Sequence, residues 1–265
     1  MIDTIQMRLM QVEKEYNVKI LYSCEVGSRA WGLSSPSSDY DVRFLYVHSV
    51  ENYLSIDPFG TERKRDVIEL PICDNLDING WELTKALRLL RKSNPSLLEW
   101  LHTPICYTEE LSTIRQIKDL LPSVLNTGTC IRHYVNMARG NLNRAVNKRL
   151  QIDLKHSINI LRPILLAKWI QTYQKFPPFN MKQLVHTLIT DKKMRKLADT
   201  IITLKINDSS NTMVDYPVLI AYCQSELNRL ELYTKSIDIN LNSLTADLDN
   251  IFRNTLNELS NSDLY

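Results

Sequence analysis

Residues 24–47 read C-E-V-G-S-R-A-W-G-L-S-S-P-S-S-D-Y-D-V-R-F-L-Y-V, from Cys24 to Val47. The pattern predicts a strand, a tight turn at Gly27-Ser28, a short helix, a loop and a second strand. Glycine takes backbone angles that other residues resist, so Gly27 suits the turn. A turn that leads into a helix presents unpaired N–H groups, which suit phosphate, and the Ser28 hydroxyl adds a donor. Asp39 and Asp41 open the second strand. Residues two apart on a strand share a face, so the two carboxylates project together with Cα atoms roughly 7 Å apart. Like charges in that position favour a cation between them. A hard divalent ion such as Mg²⁺ takes a few carboxylate oxygens and keeps its other positions for water and phosphate. One segment thus offers a phosphate cradle and a metal platform, the two parts that phosphoryl or nucleotidyl transfer requires.

Singly, Asp-x-Asp is usually a solvated strand end, and Gly-Ser is usually only a turn. The joint pattern G-S-x-x-x-G-x-x-x-x-x-S-D-x-D is far more specific, and Gly27, Ser28, Gly32, Ser38, Asp39 and Asp41 supply it. It resembles the signature of the polymerase-beta nucleotidyltransferase superfamily. The resemblance implies a small mixed sheet with helices, an α+β fold, followed by an all-helical domain.

The bulk numbers set bounds. The chain has 265 residues, 44% hydrophobic and 23% charged, with a formal net charge of +2. That is a globular composition with no overall polyanion-binding signal. The five cysteines are scattered with no Cys-x-x-Cys spacing, as expected of buried free thiols in a reducing compartment. The N-terminus has no uninterrupted apolar core, and no run approaches the length of a membrane span. A cytoplasmic protein with no membrane partner is the expectation.

Outward from the central stretch, Ile5, Leu9 and Val12 form the stripe of a helix over 2–16. Strands are expected over 19–25, 38–47 and 66–72, and a short fourth over 75–78, ended by Asn79 and Gly80. Asp57-Pro58-Phe59-Gly60 reads as a turn, and T-E-R-K-R-D over 61–66 as a charged loop. A helix follows over 81–92. Asn94 and Pro95 then form an N-cap and first position for another, which ends before Pro104. Beyond 110 the strand signals stop. Helical segments follow, with breaks expected near Pro122, Gly128, Gly140, Pro163, Pro177-Pro178 and Pro217. The expected domains are 1–110, the nucleotidyltransferase, and 111–265, the helical nucleotide- and substrate-binding domain.

Two-metal chemistry asks for a third carboxylate. In the polymerase-beta fold it comes from a strand beside the Asp-x-Asp strand. Asp77, between Leu76 and Ile78, fits that place. Glu69, which also alternates with apolar residues, is the alternative. The chain further resembles the predicted nucleotidyltransferases of the RNA-repair-pathway polymerase-beta family of bacteria and phages. The stretches that carry this are G-S-R-A-W-G with S-S-D-Y-D-V-R, L-D-I-N-G-W-E-L-T-K-A-L-R-L-L-R-K-S-N-P-S-L-L-E-W-L, L-K-H-S-I-N-I-L-R-P-I-L-L-A-K-W-I and Pro177-Pro178-Phe179. In the third, Lys155, Asn159 and Arg162 share a helical stripe, and Pro163 is expected to kink or restart the helix at Arg162. Lys155 and Arg162 resemble the triphosphate contacts that the helical half of such enzymes supplies.

The expected activity is Mg²⁺-dependent transfer of a nucleoside monophosphate from an NTP to an acceptor hydroxyl, with pyrophosphate release. Asp39, Asp41 and Asp77 would hold two Mg²⁺ ions, with Mn²⁺ as a substitute. Gly27, Ser28, Arg29 and Ser38 would bind the nucleotide with Lys155 and Arg162. Arg43 either adds positive charge near the phosphates or pairs with Asp41 on its own face. The family points to an RNA acceptor, a tRNA or a cleaved RNA under repair. Between Gly128 and Lys168, Arg132, Arg139, Arg144, Lys148, Arg149, Lys155, Arg162 and Lys168 concentrate positive charge in one segment, and Tyr134 and Trp169 offer rings to stack a base. The alternatives are nucleotidylation of a protein or small molecule, and a non-catalytic, antitoxin-like binding partner.

Overall fold

The computed structural model describes residues 1–56, 66–147, 153–209, 214–237 and 243–261. The turn at Asp57–Gly60, residues 61–65 of the charged loop, Lys148 and Arg149 lie outside them. The chain forms two compact units that are not consecutive halves. Unit 1 takes Met1–Ala30, Asp39–Val124 and Leu241–Tyr265, and unit 2 takes Trp31–Ser38 and Leu125–Asn240.

Unit 1 begins with α1 (Ile2–Tyr16), β1 (Lys19–Glu25) and the single turn α2 (Gly27–Ala30). After the excursion through 31–38 come β2 (Tyr40–Val47), α3 (Val50–Tyr53), β3 (Val67–Glu69) and β4 (Leu76–Glu82). Then follow α4 (Leu83–Arg91), α5 (Pro95–His102), β5 (Cys106–Glu109) and α6 (Thr113–Val124). The five strands form one mixed sheet in the order β3-β4-β2-β1-β5. Among the described residues β2 and β4 pair in parallel, and the other neighbours are antiparallel.

The stripe of α1 behaves as its periodicity predicts. Ile5, Leu9 and Val12 are buried against Ile20, Val42, Phe44, Tyr46, Ile68 and Ile78 of the sheet. Burying one such side chain stabilises the fold by about 1.5–3 kcal/mol. On the opposite face Trp81 of β4 stacks on Trp100 of α5, with centroids 3.9 Å apart. Asn94 caps α5 by accepting the Leu97 N–H at 3.1 Å.

Two expectations change. The fourth strand does not end at Asn79-Gly80 but runs to Glu82, whose carboxylate caps α4 through the Thr84 and Lys85 N–H groups. Gly80 is a mid-strand residue because the Phe44 ring lies over it: a Cβ there would come within 2.1 Å of that ring. The short strand β5, Cys-Tyr-Thr-Glu, was not anticipated and supplies the edge beside β1.

Unit 2 holds α7 (Thr127–Asn147), α8 (Leu154–Tyr173), α9 (Met181–Leu188), α10 (Lys192–Ile206) and α11 (Tyr216–Lys235). The last helix, α12 (Thr245–Asn261), belongs to unit 1 and packs on α4 and α6. There Thr113 and Thr255 join hydroxyls at 2.7 Å. Residues 31–38 anchor into unit 2: Trp31 stacks on Phe179 at 4.3 Å, and the Ser37 N–H donates to Asp208.

Several expected helix breaks are absent. Gly140 lies inside α7, Pro122 inside α6 and Pro163 inside α8. A proline removes the N–H that would bond the carbonyl four residues earlier. For Pro163 that carbonyl is Asn159, and the Asn141 side-chain amide of α7 donates to it at 2.7 Å. The neighbouring helix thus replaces the missing bond, and α8 continues instead of restarting. Among the described residues no helix is long and apolar enough to cross a membrane.

Candidate active site

The first half of the site lies where β1 turns into α2. Gly27 has φ +63°, a left-handed conformation that favours glycine. A second reason also demands it: a Cβ at Gly27 would sit 1.9 Å from Oδ2 of Asp41 and 2.8 Å from its Cγ. The Asp41 carboxylate occupies the space that any other residue would fill. The Val26 N–H donates to the Asp41 carbonyl at 2.9 Å, which fixes the turn against the start of β2.

Parallel pairing of β2 with β4 sets the second half. Its register places Asp41 opposite Asp77 and Arg43 opposite Asn79. Asp77 therefore lies on the strand directly beside the Asp-x-Asp strand. Glu69, on β3, is one strand further out and pairs with Asn79. Asp39 is exposed and stands just before β2 rather than within it.

Arg43 binds this corner together. Its guanidinium lies 2.8 Å from Oδ2 of Asp77 and 3.7 Å from Oδ1 of Asp41. It also donates to the carbonyls of Val42 and Asp77, at 2.9 and 3.1 Å. The other Asp77 oxygen accepts from Asn79 at 2.6 Å. Of the two roles weighed for Arg43, the pairing role is the one seen, and it extends to Asp77. Arg29 donates to the Asp39 carbonyl at 3.1 Å and lays its guanidinium 3.6 Å from the centroid of the Tyr40 ring.

Glu25 is a buried carboxylate that sequence reasoning passed over. It ends β1 with no exposed surface. One oxygen accepts the Asp41 N–H at 2.8 Å and the other accepts the Tyr107 hydroxyl of β5. Burial pushes its carboxyl above the ordinary range, opposed by those same two hydrogen bonds. The available signal was an acid closing an apolar strand immediately before Val-Gly-Ser.

Asp39 and Asp41 offer the hard oxygen donors that Mg²⁺ takes. Both oxygens of Asp77 already accept hydrogen bonds, and a guanidinium stands between it and Asp41. Among the described residues no group of three or more His, Cys, Asp or Glu side chains is gathered to hold an ion.

The remaining candidates lie in unit 2. The Ser38 hydroxyl accepts the Ser35 N–H at 2.9 Å, so it closes the serine turn on itself. Lys155 is exposed on α8. Arg162 faces the Trp31 ring, with Cζ 5.5 Å from its centroid, and its Nε is buried with no hydrogen-bond partner. The indole N–H of Trp31 is likewise buried and unpaired.

Among the described residues, Arg132 and Arg144 of the expected basic, aromatic surface are exposed, while several of its members are engaged in protein contacts. Arg132 donates to the carbonyls of Thr234 and Ile237 at the end of α11. Arg139 pairs with Glu231 at 2.7 Å, and Arg144 bonds within α7 to Gly140 and Asn141. Tyr134 is wholly buried and offers no ring for stacking. Trp169 is half-buried and packs on Tyr173.

A mixed sheet bearing this constellation, followed by helices, is that of a polymerase-beta-like nucleotidyltransferase, a transferase. The chain belongs to the RNA repair pathway DNA polymerase beta family, whose profile matches residues 1–254. It is 37% identical over 252 residues to the uncharacterized protein YcgL of Bacillus subtilis (strain 168), with 95% of each chain covered. A nucleotidyltransferase-like protein from Exiguobacterium sibiricum 255-15 aligns with 94% of this chain and 78% of its own. That alignment has 12% identity and a TM-score of 0.28, too low to carry an argument about the fold.

Proposed function

We propose that the protein transfers a nucleoside monophosphate from an NTP to an acceptor hydroxyl and releases pyrophosphate. The observation that carries this reading is the Asp41 carboxylate seated over Gly27 at the strand-to-turn junction, with Asp77 opposite it on β4. Asp39 and Asp41 would hold Mg²⁺ or Mn²⁺, and Asp77 would be the third acid, kept in place by Arg43 and Asn79. A divalent ion held there would supply neutralisation of triphosphate charge and polarisation of the attacked phosphoryl group. Gly27 and Ser28 hold phosphate oxygens at the turn, with Arg29 adding positive charge. Lys155 and Arg162 serve the triphosphate. The unpaired Nε of Arg162 supports its part, because a buried donor without an acceptor is costly unless a ligand supplies one. The protein's work is positioning and charge neutralisation.

The family description names an RNA repair pathway, and the acceptor in this reading is an RNA end, of a tRNA or a cleaved RNA. Arg132 and Arg139 are held in protein contacts and Tyr134 is buried, which supports a second reading, a small-molecule or protein acceptor. The test is a screen of four labelled nucleoside triphosphates with Mg²⁺ or Mn²⁺ against pools of RNA, protein and small molecules. Label transfer to RNA supports the first reading, and transfer to another pool supports the second. No pyrophosphate release with any pool overturns both.

A further inference from the structure

We infer that Glu25 is a positioning residue for Asp41, its buried carboxylate setting the direction in which the Asp41 side chain leaves the sheet. The inference rests on the proposed nucleotidyl transfer, in which Asp41 is a metal ligand. Glu25 pairs with Val42 across the β1–β2 ladder, so Val26 is next in line with Asp41. The Val26 N–H makes its half of that rung. The chain then turns at Gly27, and the Glu25 side chain takes up the Asp41 N–H. Both peptide groups of Asp41 are thus held by consecutive residues of one strand end.

Glu25 is itself immobilised. Its N–H donates to the Ile105 carbonyl at 3.0 Å, and its own carbonyl accepts the Thr103 hydroxyl at 2.7 Å. Tyr107 fixes the second carboxylate oxygen. A carboxylate with no exposed surface costs stability unless its hydrogen bonds are satisfied, and an apolar residue would serve a strand end better. The geometry therefore assigns its value to what it holds. Gly27 clears the space for the Asp41 carboxylate, and Glu25 aims the backbone that carries it.

The test uses the full-length protein, with Mn²⁺ binding followed by electron paramagnetic resonance and protection of the Asp41 amide followed by hydrogen exchange. Glu25→Ala should speed exchange at Asp41 and weaken Mn²⁺ binding by about tenfold or more, the scale of a lost support behind a metal ligand. Glu25→Gln keeps an acceptor oxygen for Asp41 and a polar partner for Tyr107, and should restore both. Tyr107→Phe should weaken Mn²⁺ binding by a few fold, and it decides the matter if Glu25→Ala does not fold. Wild-type Mn²⁺ affinity in folded Glu25→Ala, or in Tyr107→Phe where Glu25→Ala is unfolded, overturns the inference. So does Glu25→Gln as defective as Glu25→Ala. A wild-type protein that binds no Mn²⁺ and releases no pyrophosphate brings down the functional reading as well, an outcome distinct from failure of Glu25 alone.

Discussion

Arg43 in unit 1 and Arg162 in unit 2 are both cations that the sequence offers to phosphate, and the fold treats them differently. Arg43 is surrounded by acceptors: two carboxylates and two main-chain carbonyls. Arg162 rests against an indole and keeps a buried Nε without a partner. The same contrast runs through unit 2 itself, where Arg132 ends α11 and Arg139 pairs with Glu231. A guanidinium already ringed by acceptors has fewer N–H groups left for a ligand. Charge counting along a chain cannot see that difference.

The largest effect is expected at Asp41, one of the carboxylates that Arg43 attends. Asp41→Asn keeps the shape and removes the charge. It should lower nucleotide transfer by about 10³-fold, the scale of several kcal/mol of transition-state charge stabilisation, with the circular dichroism spectrum unchanged. Transfer retained at the wild-type rate would remove Asp41 from the site. Asp39→Asn should behave alike.

Next in size is Gly27→Ala, which pushes a methyl group into the Asp41 carboxylate. Displacing that carboxylate by about 1 Å should cost about 10² in kcat. The left-handed φ adds about 1–2 kcal/mol of destabilisation, read in a urea titration. A variant that is destabilised but fully active would mean that the tight fit over Gly27 is structural only.

Arg162→Ala should weaken NTP binding by about tenfold, or about 1.4 kcal/mol, with little change in Tm, as calorimetry would show. Lys155→Ala should act in the same direction. Arg139→Ala should leave NTP affinity alone and cost less than about 1 kcal/mol of stability, as expected of a partly exposed ion pair. Equal NTP affinities for Arg162→Ala and Arg139→Ala would erase the contrast between matched and unmatched arginines.

A smaller effect tests how α8 carries Arg162 past a proline. Asn141→Ala leaves the Asn159 carbonyl without its donor and should cost about 1 kcal/mol. In a Pro163→Ala background the alanine N–H takes that carbonyl, and the cost of Asn141→Ala should vanish. Additive losses in this double-mutant cycle would refute the substitution of one bond for the other.

Much of unit 1 was legible because its signals are local. The α1 stripe, the limits of β1 and the Asn94-Pro95 cap depend on residues within a turn or two of one another. Where the reading failed, a distant residue decided. Gly80 looks like a strand terminator until Phe44 of the neighbouring strand is placed over it. Pro163 looks like a break until Asn141 of another helix is found bonded to Asn159. Glu25 looks like an ordinary strand end until the Asp41 N–H and the Tyr107 hydroxyl converge on it.

The mixed α+β class, the family and the candidate carboxylates are legible in local patterns, because spacing of two and of 3.6 residues, caps and short signatures are properties of neighbouring residues. The tertiary structure alone decided that β4 lies parallel beside β2, so that Asp77 faces Asp41 while Glu69 stands one strand away. It alone decided which arginines have acceptors, and it returned α12 to unit 1. These are pairings between residues far apart in the chain. They are set by packing and by the need of every buried polar group for a partner, and neither condition is written in any one segment.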